Sequence, residues 1–186
     1  VGKAGNFLTN FPARGWMAYD RLRERRDDLV MVEITGSHDG TTAVDYTVNC
    51  AVGYPAITGH INDPRPVNHS LPAWDLICGQ TAALGILAAD RHRFRTGEGQ
   101  RVSLALADVA LAAVAWRGEL AEAEVNGVAR QAIGNDLYGA YGRDFTTSDD
   151  RRVMVVAITD RQWTGLLAAT ETAVAVGEIA DELGVD

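Results

Sequence analysis

The run Leu29–Thr35 constrains the fold of this chain more than any other segment does. It reads LVMVEIT, an almost continuous series of apolar and β-branched residues. Such a run predicts a strand that is buried on both faces, as the strands of parallel sheets are. A strand end at Phe7–Asn10 and a short basic helix over Tyr19–Arg26 precede it. Strand, helix and strand at this spacing predict an α/β fold with a parallel sheet.

The rest of the chain alternates between predicted helices and strands. The character of the sequence changes near residue 128, where a Gly/Tyr loop follows alanine-rich helical sequence. We therefore place a domain boundary there, with residues 1–128 in part of a large domain and residues 129–186 in an incomplete small one. The predicted elements are a helix over Val44–Val52, an irregular connection over Gly53–Pro66, a long helix from Asp75 to about Thr96, a strand over Arg101–Ala107, a helix over Val109–Val125, a Gly/Tyr loop over Ile133–Phe145, a strand over Arg152–Ile158 and a helix over Gln162–Thr170.

Composition narrows the choice of partners. Seventeen Lys and Arg residues against 25 Asp and Glu residues give a formal net charge of −8, which argues against nucleic acid or an anionic membrane as the partner. Charges interrupt every apolar run before about 18 residues, so we predict no membrane span. Cys50 and Cys78 are too few for a disulfide framework or a zinc site, and the four histidines lack metal-ligand spacing. We therefore predict that both cysteines are buried reduced thiols, that no metal is bound and that the protein is cytoplasmic.

The segment Val67–Asp75, VNHSLPAWD, brings one carboxylate to the start of the long helix. Pro72 suits a helix entry. Free backbone N–H groups and the helix dipole stabilise negative charge there, so Asp75 is a candidate nucleophile and nearby amides are candidate donors to an acyl oxyanion. The residues alone leave a second interpretation open, in which Asp75 only caps the helix. Beyond it, apolar residues recur at helical spacing and form one broad stripe: Leu76, Ile77, Leu84, Leu87 and Ala88.

Several longer motifs carry a resemblance to a known family. They are TNFPARGW, HDGTTAVDYTVN, VNHSLPAWD, HRFRTGEGQRVSLALAD, GNDLYGAYGRDF and RRVMVVAITDRQW, and they lie between about Phe7 and Leu167. Asn10-Phe11 before an Arg/Gly turn, followed by the aspartate of LPAWD, resembles class III CoA-transferases. The resemblance implies part of a Rossmann-like parallel-sheet large domain and the start of a small α+β domain.

The resemblance implies a reaction in which Asp75 is the nucleophile. The aspartate attacks a thioester to give a mixed anhydride, and the CoA thiolate then forms an enzyme-bound aspartyl-CoA thioester. No metal or redox cofactor is required, because coenzyme A enters as part of the acyl-CoA substrate. The motifs imply an isomerase of this type, which moves CoA between the two carboxyl groups of methylfumarate. Transfer between separate acids and a non-catalytic CoA-binding or interaction domain are the alternatives.

Further residues take roles from the resemblance. Asn10, Phe11 and Arg14 match positions that contact CoA, through hydrogen bonding, packing and charge near the phosphates. Asp45 is a cofactor-binding candidate that orients the substrate or the nucleophile, against the simpler interpretation of a helix cap. Racemases of the family carry a histidine just before this position, and Val44 stands there instead, which counts against racemisation.

Two histidines and one loop are candidates for substrate binding. His38 and His69 lie in polar loops, where an imidazole either hydrogen-bonds a substrate carboxylate or is a solvent-exposed or capping group. Tyr138, Tyr141 and Arg143 fall where formyl-CoA transferases of the family have a mobile glycine loop. This chain lacks the unbroken glycine run, so we predict a more rigid wall that contacts a dicarboxylate, since arginine presents a planar bidentate donor.

The resemblance also predicts how the protein assembles. It implies an interlaced homodimer for the full-length protein. The sequence does not begin with Met and is shorter than family members. We therefore expect a fragment that is weakly stable and inactive by itself.

Overall fold

The structure, a computed structural model, describes residues 4–185. These residues form two compact units. The first contains the residues up to Thr58 together with Pro64–Gln131, and the second contains Gly59–Asp63 together with the residues from Ala132 onward. The boundary near residue 128 concerns the domains of the whole protein and stays a prediction.

A three-stranded parallel sheet forms the centre of the first unit. Its strands are β1 (Asn6–Thr9), β2 (Val30–Thr35) and β3 (Gln100–Ala105), in the order β1-β2-β3. The central strand β2 is fully buried over Val30–Val32, because it has a hydrogen-bonded neighbour on each side and packed side chains over it. This arrangement confirms the α/β fold class and the buried strand that the run Leu29–Thr35 predicts.

Helices connect and cover the strands of the first unit. Their bounds in the described residues are α1 Tyr19–Arg23, α2 Asp45–Ala51, α3 Tyr54–Ile57, α4 Ala73–Thr96, α5 Leu106–Trp116 and α6 Glu119–Asn126, with a 3-10 turn over Gly15–Met17. The helix α2 falls where the sequence predicts one, and α1 ends three residues before its predicted end. The short helix α3 lies inside the segment predicted to be irregular, where Pro55 suits the first turn.

The long helix α4 is the last element of the connection from β2 to β3, and it packs on both strands. Its buried residues are Trp74, Cys78, Ala82 and Ala89. At Gly85 the sheet is so close that an added Cβ would stand 3.3 Å from the Val102 side chain. The apolar stripe is not the face of α4 that packs on the sheet, because the packed face has mostly small side chains that permit close approach. All five stripe residues are exposed, the three leucines by 53 to 67%: Leu76, Ile77, Leu84, Leu87 and Ala88.

The carboxyl end of α4 has a defined anchor. The helix stops where predicted, since Gly97 adopts a φ of +78° that ends the helical backbone. One turn earlier, the Arg93 guanidinium donates hydrogen bonds to the carbonyl oxygens of Ala4, Gly5 and Asp28, at 3.0 to 3.2 Å. These carbonyls lie just before β1 and β2, so Arg93 ties the end of α4 to the amino-terminal edge of the sheet.

The predicted helix over Val109–Val125 is wrong, because the structure has two helices there, α5 and α6. Gly118 separates them with a φ of +77°, in the left-handed region that glycine adopts without a Cβ penalty. A right-handed helix does not continue through that conformation. Periodicity misses the break because alanine-rich helical sequence continues on both sides of it.

Two clusters of buried side chains stabilise the first unit. One joins α2, α4 and α5 through Val48, Trp74, Cys78, Leu106, Val109 and Ala110. The other joins α1 to β2 through Leu22, Leu29 and Met31. Because the larger cluster includes Trp74 and Cys78, the first turns of α4 rest on packed side chains. Cys78 is buried as predicted, but the predicted burial of Cys50 is wrong, because its position on α2 is exposed to solvent.

The second unit contains a hairpin and two helices. Their bounds are β4 Tyr141–Thr146, β5 Arg152–Ala157, α7 Asp160–Thr170 and α8 Ala173–Leu183, and the two strands pair antiparallel. The predicted strand and helix are confirmed as β5 and α7. Thr159 caps α7, since its hydroxyl accepts a hydrogen bond from the Gln162 amide at 3.3 Å. Strand β4 begins inside the predicted Gly/Tyr loop.

Candidate active site

A cavity of about 780 Å³ opens at the carboxyl ends of the three parallel strands. The loops after β1 and β2, the start of α4 and the first residue of α5 contribute to its wall. Ligands of open α/β sheets bind at this edge, because the loops that follow the strands meet there. The volume lies within the range of pockets that hold small molecules and cofactors.

Asp75 is the third residue of α4 and lines this cavity. Cys78 and Gly79 line it too, because residues three and four positions apart share one face of a helix. An added Cβ at Gly79 would meet no atom within 4 Å, so the wall is open one turn beyond Asp75. Among the described residues, the Asp75 carboxylate has no hydrogen-bond donor and no ion-pair partner. It is therefore free to react with a ligand in the cavity.

The loop after β1 brings Asn10, Phe11 and Arg14 to the same cavity. Thr9 shapes this loop, since its hydroxyl accepts a hydrogen bond from the Phe11 amide at 3.0 Å. The Phe11 residue is 69% exposed, which leaves most of its ring available for packing against a ligand. The structure thus places Asp75 and the three residues predicted to contact CoA around one space, while their roles stay predictions.

Charge is unevenly distributed along the cavity wall. Arg14 is the one cationic side chain among the described lining residues, and it has no ion pair within residues 4–185. Glu33 also lines the wall, but Arg101 on the neighbouring strand pairs with it at 2.5 and 3.0 Å. Burial, together with the negative charge of Asp75, raises the pKa of the Cys78 thiol. A ligand in the cavity therefore meets Arg14 and Asp75 as its unpaired charges.

Asp45 and His69 do not line the cavity. Asp45 is 2% exposed and begins α2. Its Oδ2 accepts hydrogen bonds from the backbone amides of Trp74 and Asp75 at 2.8 and 3.2 Å, and its Oδ1 lies 2.7 Å from His69 Nε2. Asp45 thus contacts the backbone that carries Asp75, and His69 contacts Asp45. This geometry favours the predicted orienting role of Asp45 over direct contact with CoA.

The same contacts occupy the amides at the start of α4. The Ala73 amide donates to the Leu71 carbonyl at 2.7 Å, and the Leu76 amide donates to the Pro72 carbonyl at 3.1 Å. Asp45 accepts from the two amides between them. All four N–H groups of the first turn therefore have acceptors. The expectation that these amides are free to hold an acyl oxyanion is wrong.

His38 lies in the loop after β2 but outside the cavity wall. Its Nδ1 is 3.5 Å from Oδ1 of Asp108 in the first turn of α5, and both side chains are largely exposed. The role of His38 in binding a substrate carboxylate stays a prediction.

The remaining candidates, Tyr138, Tyr141 and Arg143, lie in the second unit. Arg143, on β4, donates to both oxygens of the Asp136 carboxylate at 2.9 and 2.7 Å. These hydrogen bonds lower the pKa of Asp136. Tyr141 packs on Trp163, with ring centroids 5.0 Å apart. The Arg143 guanidinium is thus already paired with a carboxylate of the chain itself. That these three residues form a wall against a dicarboxylate substrate stays a prediction.

Sequence reasoning missed several residues around the site. Glu33 has a usable signal, because a carboxylate inside a buried apolar strand needs a charged partner. Asn49 is a buried amide whose Nδ2 donates to Asn68 Oδ1 at 2.7 Å and whose Oδ1 accepts from the Trp74 indole at 3.0 Å. Its only signal is a polar residue within a short helix. Cys78 could have been found from its position one helical turn beyond the predicted nucleophile.

Within residues 4–185, no helix combines the length and apolar character needed to cross a bilayer. No group of three or more His, Cys, Asp or Glu side chains in the same residues is arranged to hold a metal ion.

Comparison with known proteins identifies related sequences. The family model for CoA-transferase family III matches residues 4–180. A 2-methylfumaryl-CoA isomerase from Chloroflexus aurantiacus is 52% identical over 183 residues, which cover 98% of this chain and 45% of that protein. A succinyl-CoA:mesaconate CoA-transferase from Haloarcula marismortui is 30% identical over 185 residues, which cover 92% of this chain and 46% of that protein. The chain spans slightly less than half the length of these curated relatives.

Solved structures share the fold. A CAIB/BAIF family protein from Brucella suis aligns with a TM-score of 0.71 at 21% identity, covering 95% of this chain and 47% of that one. A hypothetical protein from Mycobacterium tuberculosis aligns with a TM-score of 0.64 at 20% identity, covering 88% of this chain and 44% of that one. At these identities the likeness concerns the fold alone, and it agrees with the predicted fold class.

Proposed function

Because this chain belongs to CoA-transferase family III, we propose that the complete protein moves CoA between carboxyl groups with Asp75 as its nucleophile. One observation carries the proposal. Asp75 presents an unpartnered carboxylate to a cavity whose wall also contains Asn10, Phe11 and Arg14. A carboxylate nucleophile needs a free oxygen and room for an acyl group beside it, and this position supplies both.

The reaction proceeds in four steps that balance. An Asp75 oxygen attacks the thioester carbonyl, the C–S bond breaks, and a mixed anhydride and a CoA thiolate form. The thiolate attacks the aspartyl carbonyl, which releases the acid as its carboxylate and leaves an aspartyl-CoA thioester. An acceptor carboxylate attacks this thioester to give a new anhydride and CoA thiolate. The thiolate then attacks the acyl carbonyl, which forms the product and restores Asp75. No electrons are gained or lost, so the steps need no redox cofactor, and we propose that they proceed without a metal.

The other residues of the wall have supporting roles in this proposal. We assign CoA hydrogen bonding to Asn10, packing to Phe11 and phosphate pairing to Arg14, since Arg14 is the one cation among the lining residues described. The raised pKa of Cys78 keeps its thiol protonated at neutral pH. A protonated thiol is a poor nucleophile, so Cys78 does not compete with Asp75 for the acyl group.

The substrate that we propose is methylfumarate carried as its CoA thioester. The relative from Chloroflexus aurantiacus, 52% identical, is a 2-methylfumaryl-CoA isomerase. A dicarboxylic acid brings its own acceptor carboxylate, so CoA moves from one end to the other while the acid stays bound. Retention of the acid keeps the second attack intramolecular and preserves the advantage of proximity. Assembly as an interlaced homodimer in the cytoplasm belongs to the same proposal.

Intermolecular transfer is the second candidate function. The Haloarcula marismortui relative, 30% identical, is a succinyl-CoA:mesaconate CoA-transferase, which uses separate donor and acceptor acids by its name. In that case a free acid would have to leave and another enter between the two halves of the reaction. Asp75 would keep its role, because both reactions pass through the same aspartyl-CoA thioester.

The role of Asp75 is tested by substitution in the complete protein. We expect Asp75→Ala and Asp75→Asn to abolish turnover of 2-methylfumaryl-CoA, followed by chromatography and mass spectrometry of the regioisomers. Intact-protein mass spectrometry of acid-quenched wild-type protein should show an increase equal to the mass of one CoA minus one water, as expected for the aspartyl-CoA thioester. Neither variant should show this increase. Asp90→Asn, which removes a carboxylate from the same helix, is the control. Substantial turnover by a correctly folded Asp75 variant would remove this residue from the mechanism.

A labelling experiment separates the two candidate functions. Labelled free methylfumarate is added during turnover of unlabelled 2-methylfumaryl-CoA. If the acid stays bound, the label enters the product pool poorly and no acceptor acid is needed. Rapid incorporation, or a strict requirement for added acid, would assign the protein to intermolecular transfer.

A further inference from the structure

The first turn of α4 is capped from another helix rather than by its own N-cap residue. Pro72 at the N-cap provides no side-chain hydrogen bond. The cap comes instead from Asp45, whose Oδ2 accepts from the amides of Trp74 and Asp75 at 2.8 and 3.2 Å. A carboxylate is stabilised at this position because the amino end of a helix carries partial positive charge.

The other oxygen of Asp45 is held by His69. The distance from Nε2 of His69 to Oδ1 is 2.7 Å, and the side chains of His69 and Asp45 are 22% and 3% exposed. The carboxylate only accepts hydrogen bonds, so the His69 Nε2–H donates. A buried charge is tolerated when its oxygens are satisfied in this way.

These contacts close into a ring of hydrogen bonds. The backbone amide of His69 donates to Asn68 Oδ1 at 3.0 Å, and Asn49 Nδ2 donates to the same oxygen at 2.7 Å. The Trp74 indole donates to Asn49 Oδ1 at 3.0 Å, while the Trp74 amide returns to Asp45. Each member of the ring restrains the next, so Asp45 has little freedom to shift.

We infer that Asp45 and His69 form a positioning pair that fixes the backbone of the nucleophile Asp75 for attack. This inference rests on the proposed role of Asp75. The point of contact is the Asp75 amide itself, so a change in the Asp45 carboxylate acts directly on the residue that reacts. Neither member of the pair lines the cavity. Their loss should therefore lower kcat and leave the KM for acyl-CoA almost unchanged.

Three variants of the complete protein test the pair. Asp45→Asn keeps the shape but removes the charge and one acceptor, and His69→Leu removes the donor. His69→Gln places an amide N–H near the position of Nε2 and serves as the conservative variant. We expect Asp45→Asn and His69→Leu to lower kcat by about 10- to 100-fold, the size expected when a reacting group is misplaced by about 1 Å. The KM should stay within about threefold of the wild-type value. The kcat of His69→Gln should be at least about tenfold higher than that of His69→Leu.

A second measurement separates positioning from general stability. Hydrogen exchange should become faster at the amides of Trp74 and Asp75 in Asp45→Asn, measured well below the melting temperature, and stay unchanged near Ala89. Asp90→Asn serves as the control for loss of charge on α4, because Asp90 pairs with Arg93 at the far end of the helix and Arg93 keeps its three backbone acceptors without it. Asp90 lies 15 residues from Asp75, which is about 22 Å along the helix, and its substitution should leave both kcat and the exchange at Trp74 unchanged.

The outcomes are distinguishable. Wild-type kcat in folded Asp45→Asn and His69→Leu would overturn the positioning role and leave Asp75 as the nucleophile. A lower melting temperature with wild-type kcat would also overturn it, because it would show a purely structural contact. Absence of the CoA adduct from wild-type protein would overturn the role of Asp75, and the inference about the pair would fall with it.

Discussion

At the scale of single residues, the cavity wall holds two side chains of opposite reactivity one helical turn apart. Asp75 presents an exposed carboxylate without a partner, and Cys78 presents a buried thiol. The pKa of Cys78 is raised, first by burial and then by the charge of Asp75. On this face of α4 the Asp75 carboxylate is therefore accessible, whereas the Cys78 thiol is buried and protonated.

The two cysteines should differ in their rates of alkylation. We expect iodoacetamide at pH 8 to modify exposed Cys50 on the order of tenfold faster than buried Cys78, because only the thiolate reacts. Peptide mass mapping over time measures both rates, and urea-unfolded protein is the control in which they should converge. Asp75→Asn should accelerate Cys78, since it removes the charge that helps raise the pKa of the thiol. Equal rates in the folded protein would contradict the burial of Cys78.

Sequence reasoning at this scale identified single residues better than it identified pairs. Asp75, Asn10 and Phe11 stand in recognisable motifs, and the structure places all three around one cavity. The pairing of Asp45 with His69 had no comparable signal. The two residues are 24 positions apart, and only the packing of α2 against α4 brings their side chains together.

At the scale of elements, α4 shows what patterning can predict and what it misses. Its end follows from Gly97, as expected of a glycine C-cap. Its buried face does not follow from hydrophobicity, since periodicity gives leucines more weight than alanine or cysteine. The sheet selects small residues where the two layers approach closely, and that distance is a tertiary property. The break between α5 and α6 at Gly118 is also invisible to periodicity, because it depends on the local backbone conformation of one residue.

Two glycines of α4 should respond differently to a methyl group. We expect Gly79→Ala to stabilise the protein by about 0.5 to 1 kcal/mol, because alanine is the better helix former and its Cβ meets open space. Gly85→Ala should gain less or lose stability, since its Cβ would stand 3.3 Å from Val102. Denaturant midpoints of the two variants give the comparison. Equal stabilisation by both would contradict the close approach of α4 to β3.

The pair between Asp136 and Arg143, before and on β4, should be visible in a titration. Hydrogen bonds from Arg143 lower the pKa of Asp136 below its ordinary value of 3.8. The stabilisation from this pair is present above pH 3.8 and is lost as pH falls through the lower folded value. We expect carbon NMR of labelled aspartates to show Asp136 titrating low in wild-type protein and in its ordinary range in Arg143→Gln. Asp136→Asn identifies the signal, and an unchanged titration in Arg143→Gln would contradict the pair.

At the scale of the whole molecule, the described chain leaves much apolar side-chain area in contact with solvent. On α4 alone, Leu76, Leu84 and Leu87 are more than half exposed, and Phe94 is 89% exposed. So many large exposed apolar side chains on one helix are uncommon on an independent soluble protein. The α/β class was predictable from the sequence because β2 is buried in any arrangement of its neighbours. The sequence could not predict that Gly59–Asp63 belongs to the second unit, because that membership depends on contacts between residues distant in the chain.

The exposed leucines should govern the behaviour of the isolated 186-residue chain. We expect it to bind a hydrophobic dye, and the double variant Leu84→Lys with Leu87→Lys to bind much less. Its unfolding midpoint should stay almost unchanged, since both side chains are about two-thirds exposed and make few contacts. Val109→Lys, at a buried position, is the control that should destabilise the chain strongly. Loss of stability in the double leucine variant would show that these residues are packed in solution.

The two anchors of α4 determine which parts of the site are able to move. Asp45 holds its first turn, and Arg93 ties its last turns to the edge of the sheet. A helix fixed at both ends does not slide by a turn, about 5.4 Å, along its neighbours. We therefore expect any opening of the cavity to involve its other walls, the loops over residues 10–14 and 36–44. In the proposed reaction we therefore expect the loops to control how fast ligands enter and leave, while the backbone that carries Asp75 stays in place.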